Sequence, residues 1–473
     1  MAATLLLAGA LPGRADQGIT LPDIGDPADT VLSRAEERQL GSIIAAQIRS
    51  SLNVLSDPEV NSYVQSLGTR LVSAGANADL KYTFLIVADP AVNAFATPGG
   101  VVTIFTGLIE TAENESEVAG VMAHEIAHIE QRHMARAMAH ARQINIATAL
   151  GVLASIAAAV VAPGAGIAGM QSTLAAGQQA QLAFSRSNEQ EADRVGIDLL
   201  TEAHFDPEGM PSFFERLQKA TELSRGQVPE FLMTHPVTLS RISDTKARAD
   251  QYKATYPGPF VKDSEQFHFI KGRVLALTTK PNELIEHVQQ QVLAGKKLKP
   301  AQKYAYAIAL TRAGKAQQAI KILSTLHAEQ DGKVMIQLAL AQAYLRAGQP
   351  AQAQALLERL NDIYPGTEAV VYYLGQSLLD QGRTAEALAL LERATSRPRH
   401  NPILDKLKAK VANKADRPGI SREAIADYYI AYAQYDSALL QLEMALRDDH
   451  MDAISRARIR AKHKELKDLL AEA

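Results

Sequence analysis

Two histidines and a glutamate at positions 124–128 have the residue types and the spacing that catalysis requires. The stretch reads His-Glu-Ile-Ala-His. Each helical residue turns the chain by about 100°, so side chains four positions apart lie within about 40° of each other on one face. His124 and His128 can therefore bind one metal ion. Glu125 can accept a proton from water and return it to a leaving amine, so the pattern indicates metal-assisted hydrolysis.

A third protein ligand is needed, because a catalytic zinc ion is held by three protein ligands and keeps one coordination position open. The chain contains no cysteine, so this ligand must be a histidine or a carboxylate. His133 and His140 are the nearest histidines. A third histidine at metzincin spacing would fall on Met134, so we interpret both as surface histidines.

A carboxylate further along the chain is a better candidate for the third ligand. Glu189 and Asp193 lie four residues apart in the stretch 185–193, which is predicted to be a second helix. Glu189 is expected to bind the metal, and Asp193 to orient a ligand imidazole through its second ring nitrogen. Glu191 is the rival ligand, but it lies on a different face of that helix from Glu189.

His235 is the last candidate, in the sequence Thr234-His235-Pro236 on a predicted loop. It can stabilise the oxyanion, occupy the open metal position as a removable fourth ligand, or serve only as a structural loop histidine. Of the two active roles we favour the removable plug, because the segment 144–183 suggests a site that is closed at rest.

A helix and a small set of strands must position these residues. The helix is predicted to begin near Asn114, which has capping-box spacing to Glu117. The stretches 82–87 and 101–105 are predicted strands, bounded by Pro-Gly-Gly at 98–100. The edge of this sheet is expected to hold a substrate as an added strand, or to support the helix, and the two roles are compatible.

Two apolar segments bear on the cellular location of the protein. Residues 1–10 are almost wholly apolar and lead to Gly-Arg-Ala at 13–15, so residues 1–15 are predicted to be an export signal. Residues 146–162 approach the length that spans a bilayer. A single crossing there would separate the histidine pair from Glu189. We therefore expect 144–183 to form a lid or helical hairpin over the site, in peripheral contact with a membrane.

The C-terminal part of the chain repeats with a period of 34 residues. The period appears in glycines and in the alanines five residues after them: Gly314, Gly348, Gly382, Ala319, Ala353 and Ala387. This pattern resembles the tetratricopeptide repeat, whose arrays stack helix pairs into a solenoid. A degenerate first repeat is expected at 265–299, and a further unit at 431–438 after an insertion at 401–419. The array either docks other proteins or only caps the neighbouring domain.

Four separated motifs resemble the CaaX-prenyl-protease-like and HtpX-like zinc metallopeptidases, which are gluzincins. The matching stretches are 93–100, 106–108 and 115–128, followed by Glu189 with Asp193. The match covers about residues 35–245 and so includes the whole predicted site. The resemblance implies one zinc ion per chain, held by His124, His128 and Glu189, with Glu125 as the general base.

The order of the predicted segments resembles the bacterial periplasmic branch of this family, in which a repeat array follows the peptidase. That resemblance implies a zinc-dependent endopeptidase acting in quality control and assembly of outer-membrane proteins. The array is then expected to dock unfolded or stalled outer-membrane proteins, or their assembly machinery. A second hypothesis is a chaperone or assembly adaptor with latent proteolytic activity.

Length and composition are consistent with this organisation. The chain has 473 residues and a formal net charge of -3, which argues against a dedicated nucleic-acid-binding protein. Frequent alanine and leucine favour helices. We predict a mainly α protein: a gluzincin metallopeptidase domain of α+β type with a small sheet at 16–254, a connector at 255–264, and a tetratricopeptide-repeat α-solenoid at 265–473.

Overall fold

The structure is a computed structural model that describes residues 31–75, 80–144, 178–223, 229–256, 258–330, 332–395 and 401–471. The predicted export signal at 1–15 lies outside these residues, and so does the predicted lid at 144–183 except for its ends. Within the described ranges, no helix is both long enough and apolar enough to cross a membrane.

Helices make up most of the N-terminal half. They are α1 (Arg34–Ser51), α2 (Pro58–Ala74), α3 (Thr106–Thr111), α4 (Glu115–Glu130), α5 (His133–Ile144), α6 (Gln178–Glu202), α7 (Gly209–Leu223), α8 (Glu230–Thr234) and α9 (Leu239–Thr255). The predicted start of α4 is confirmed, because the Asn114 side chain accepts a hydrogen bond from the backbone N–H of Glu117.

The sheet has three strands where the sequence predicted two. The strands are β1 (Thr83–Val87), β2 (Ala94–Thr97) and β3 (Val101–Phe105), in the order β1-β3-β2. β3 is central, parallel to β1 and antiparallel to β2. Strand β2 was not predicted because it is only four residues long, too short for an alternation of apolar and polar residues to be recognised. It forms the edge that packs beside α4.

Helix α4 runs through the middle of the core. Its residues are buried along nearly the whole length, including the apolar Val118, Val121 and Met122. A Cβ atom at Gly196 of α6 would lie 3.1 Å from the backbone nitrogen of His124. The glycine therefore lets α6 approach α4 at the histidine pair, which brings the two predicted ligand helices together.

The C-terminal half consists of successive helices: α10 (Glu265–Thr278), α11 (Pro281–Leu293), α12 (Pro300–Arg312), α13 (Ala316–Glu329), α14 (Val334–Arg346), α15 (Pro350–Ile363), α16 (Glu368–Asp380), α17 (Thr384–Thr395), α18 (Pro402–Lys414), α19 (Pro418–Ala431), α20 (Tyr435–Leu446) and α21 (Ala453–Ala471). The repeat glycines lie in turns with φ between 70° and 76°, a conformation that favours glycine. The repeat alanines are fully buried. The predicted helix-pair array is confirmed. The segment 265–299, predicted as a degenerate first repeat, contains the two helices α10 and α11.

The insertion predicted at 401–419 contains a regular helix, α18. The turn after it places Asp416 at φ 55°, one 34-residue period after Gly382. The later turn, between α19 and α20, places Ala433 at φ 47°, and Ala438 beyond it is fully buried. The turn at Ala433 lies within the unit predicted at 431–438. The turn at Asp416 was missed, because non-glycine residues in left-handed turns are uncommon and the period was read from glycines.

A buried charge cluster joins the two halves of the chain. The Arg273 side chain on α10 donates hydrogen bonds of 2.7 and 2.8 Å to Asp57 and lies 2.8 Å from Glu59. Both acids are at the start of α2. Tyr304 on α12 and Gln342 on α14 donate to Glu59 as well. Burial, with the neighbouring Asp57 charge, raises the pKa of Glu59 to about 7 although Arg273 opposes the shift.

The same interface contains apolar contacts. Phe267, Ile270 and Val274 of α10 belong to one buried cluster with residues of α2, α4 and α7. The boundary predicted at 255–264 therefore separates two patterns in the sequence, but the first helix of the array completes the core of the preceding domain. Part of the array surface is therefore buried against the preceding domain.

Candidate metal centre

Four side chains converge at one point next to the buried helix α4. One ligand atom from each of His124, His128, Glu189 and His235 lies within 4.8 Å of the others. Nε2 of His124 lies 3.1 Å from Nε2 of His128 and 3.4 Å from Oε2 of Glu189. These separations suit donor atoms that surround one ion.

Three separate elements supply the four side chains. α4 carries the two histidines one turn apart, as the spacing predicted, and α6 carries Glu189. His235 follows the short helix α8, where its Nδ1 lies 3.1 Å from both carboxylate oxygens of Glu189. The ring of fully buried Phe231 stacks on the His235 ring at 4.8 Å, which holds the loop against the cluster.

Glu125 lies beside the cluster but is not part of it. Its side chain is 1% exposed, and its Oε1 lies 3.4 Å from Nε2 of His235. Among the described residues this oxygen has no hydrogen-bond partner. A buried carboxylate oxygen without a partner is costly unless water or a substrate pairs with it. With the His, His, Glu, His donor set, this unpaired oxygen fits a catalytic metal centre.

Comparisons with known proteins agree with this geometry. Residues 58–249 match the profile of peptidase family M48. Beta-barrel assembly-enhancing protease of Escherichia coli strain K12 is 37% identical over 332 residues, which are 70% of this chain and 67% of that protein. The chain belongs to peptidase family M48.

Other relatives are consistent with membership of M48. Beta-barrel assembly-enhancing protease of Yersinia pestis is 38% identical, over 70% of this chain and 69% of that protein. Mitochondrial metalloendopeptidase OMA1 of Schizosaccharomyces pombe is 34% identical, over 38% of this chain and 50% of that protein. Residues 312–394, within the array, match the profile of anaphase-promoting complex, cyclosome, subunit 3. The M48 chain is therefore a metallopeptidase followed by helical repeats, as predicted.

In this M48 site, Asp193 lies next to the ring nitrogen of His124 that faces away from the cluster. Its Oδ1 lies 3.1 Å from Nδ1 of His124, which leaves Nε2 of that ring directed at the cluster. This is the arrangement expected of a carboxylate that orients a metal ligand. Glu191, the rival ligand, instead lies 3.1 Å from Nε2 of His133, outside the cluster.

The interpretation of His133 as a surface histidine was wrong. The residue is buried, and its Nδ1 lies 2.8 Å from Nδ1 of His128. A ligand imidazole needs a partner at its second nitrogen, and His133 is placed to provide it. No residue spacing predicts this contact, because it depends on the turn between α4 and α5, in which Arg132 adopts a left-handed conformation with φ 52°.

The electrostatics of the cluster suit a cation. Burial disfavours the charged form of His124, but Asp193 and Glu189 outweigh it and raise its pKa to about 9. Burial also favours the neutral form of Glu189, yet His235 and His124 hold its pKa well below the usual range. Burial and the charge of His124 lower the pKa of His128. Burial likewise favours the neutral form of Asp193, yet Arg241 and His124 lower its pKa. Asp193 and Glu189 thus stay charged and attract positive charge to this point.

Proposed function

We propose that this M48 peptidase is a zinc-dependent endopeptidase of the bacterial periplasm, acting in quality control and assembly of outer-membrane proteins. The observation that carries the proposal is the convergence of His124, His128, Glu189 and His235 beside the buried carboxylate of Glu125, whose Oε1 makes no hydrogen bond among the described residues. Two imidazoles and a carboxylate are a usual ligand set for catalytic zinc. The names of the bacterial relatives support the proposed substrates.

The side chains of the site have different proposed roles in catalysis. His124, His128 and Glu189 would hold one zinc ion per chain, which when bound polarises the scissile carbonyl and lowers the pKa of water. Glu125 accepts a proton from the attacking water and donates it to the amine nitrogen that leaves. Asp193 keeps the His124 ring oriented during both transfers.

The outer edge of strand β2 is the proposed binding site for the substrate backbone. This strand lies at one edge of the sheet. It pairs with β3 on one side and packs beside α4, and its central residues Phe95 and Ala96 are half-buried. An extended peptide that adds to this edge would be gripped through main-chain hydrogen bonds, with little dependence on its sequence. Such recognition suits an enzyme that removes unfolded proteins.

The array is proposed to dock unfolded or stalled outer-membrane proteins or their assembly machinery. Array helices outside the cluster around Arg273 are the better candidates for this surface, because α10, α12, α14 and α16 all contribute side chains to that cluster. The C-terminal end of α19 is also in contact with the N-terminal half, since Arg49 of α1 donates a hydrogen bond to the carbonyl oxygen of Ala431. Peripheral membrane contact through 144–183 is a further part of the proposal.

Degradation of an unfolded protein tests the proposed activity. The full-length protein is expected to cleave casein, to lose that activity with a metal chelator, and to regain it when zinc is added back. Product mass spectrometry distinguishes internal cleavage from trimming at the chain ends. Cleavage that continues unchanged in excess chelator would contradict the proposal.

His235→Ala separates the two active roles of the loop histidine. As a removable fourth ligand His235 excludes the attacking water, so its loss should raise casein cleavage and self-cleavage while zinc is retained. As an oxyanion donor its loss should lower the rate by ~10²-fold. We expect the increase, because Nδ1 of His235 faces Glu189 among the other ligand atoms. An unchanged rate would leave only the structural role.

A further inference from the structure

Arg241 is a buried cation that contacts three groups around the metal centre. Its Nε and Nη2 each donate a 2.7 Å hydrogen bond to a different oxygen of Asp193. Its Nη1 lies 2.9 Å from Oε2 of Glu189 and donates a 2.8 Å bond to the carbonyl oxygen of Pro236. The residue is 4% exposed, so these contacts are protected from solvent.

The three contacts belong to two different elements. Glu189 and Asp193 are one turn apart on α6, whereas Pro236 follows His235 in the loop between α8 and α9. Arg241 itself is in the first turn of α9, where its backbone N–H bonds to the capping Thr238. One guanidinium thus links the ligand helix to the loop that carries the fourth donor.

We propose that Arg241 is a positioning residue that fixes Glu189 for metal binding and keeps the His235 loop against the site. The inference rests on the proposed function and deepens it. A planar guanidinium can bond one carboxylate through two nitrogens while its remaining nitrogen contacts other groups. A lysine ammonium on a flexible stem cannot make all of these contacts at once. Loss of Arg241 leaves Asp193 and Glu189 buried without their shared cation, so both should lose orientation.

The test compares zinc affinity in full-length variants. Arg241→Met should raise the zinc dissociation constant by about 10–100-fold, the effect usual for partners of metal ligands. Arg241→Lys should fall between that variant and the parent protein. Arg216→Met is the matched control, because Arg216 binds Glu117 of α4 without touching the site, and its zinc affinity should equal the parent value.

Deuterium uptake of the loop provides a readout that a general loss of stability would not reproduce. With zinc bound, residues 229–238 of Arg241→Met should exchange faster than those of the parent, while residues 115–130 of α4 keep their protection. Parent-like zinc affinity and loop protection in Arg241→Met, or in Arg241→Lys if the first does not fold, would overturn the inference. Failure of the parent protein to bind zinc would instead reject the proposed function.

Discussion

Glu125→Gln is expected to lower the rate of casein cleavage by about 10²–10⁴-fold while zinc stays bound, because the amide cannot accept a proton from water. The substitution preserves the shape of a side chain that is 1% exposed. Cleavage rate and zinc content are measured on the same preparation. A variant that retains zinc and cleaves at the parent rate would show that another group is the base.

The same variant separates proteolysis from an adaptor role. If the array supports assembly without cleavage, cells carrying Glu125→Gln should still assemble outer-membrane proteins better than cells lacking the protein. If proteolysis is the whole function, the two should be equally defective. The alternative hypothesis of a chaperone with latent activity is therefore tested without altering the array.

Arg273→Met is expected to destabilise the full-length protein by about 3–5 kcal/mol, because it leaves two buried carboxylates without their cation. Arg273 is 1% exposed and bonds both Asp57 and Glu59 across the junction of the two halves. Urea denaturation of the full chain measures the change. The loss should shrink as the pH is lowered below about 7, since protonation of Glu59, whose pKa burial raises to about 7, then removes one of the two negative charges.

A compensated variant is the control for this cluster. Changing Asp57→Asn and Glu59→Gln together with Arg273→Met removes all three charges, so most of the lost stability should return. An effect of Arg273→Met below about 0.5 kcal/mol, the size usual for surface substitutions, would contradict a structural role for the cluster.

Features set by residues close together in the chain were predictable. The histidine pair of α4 follows from helical spacing alone, and the 34-residue period shows the array because each repeat needs a glycine turn and a small buried residue. Glu189 was a candidate because Asp193 lies one turn beyond it. These patterns are local, and the structure places the residues where the patterns require.

Features that depend on distant contacts were not predictable in this way. Arg241 contacts Asp193 across 48 residues, and Arg273 contacts Asp57 across 216 residues. Arg241 follows the Thr234-His235-Pro236 stretch, but its sequence position assigned it no role, and Arg273 stands in no recognisable motif. A buried arginine looks like a surface residue in a single sequence. His133 was misassigned because the turn that buries its side chain depends on Arg132 adopting a left-handed conformation.

Zinc content is the most direct test of the proposed metal centre. Purified full-length protein should contain about one zinc ion per chain, and Glu189→Ala should lose most of it because one of three permanent ligands is gone. Glu191→Ala tests the rival ligand on the same helix. Glu191 contacts His133, which is the partner of His128, so this variant should keep zinc bound with a smaller loss of affinity than Glu189→Ala. Full zinc occupancy in Glu189→Ala, or loss of zinc in Glu191→Ala alone, would contradict the ligand assignment.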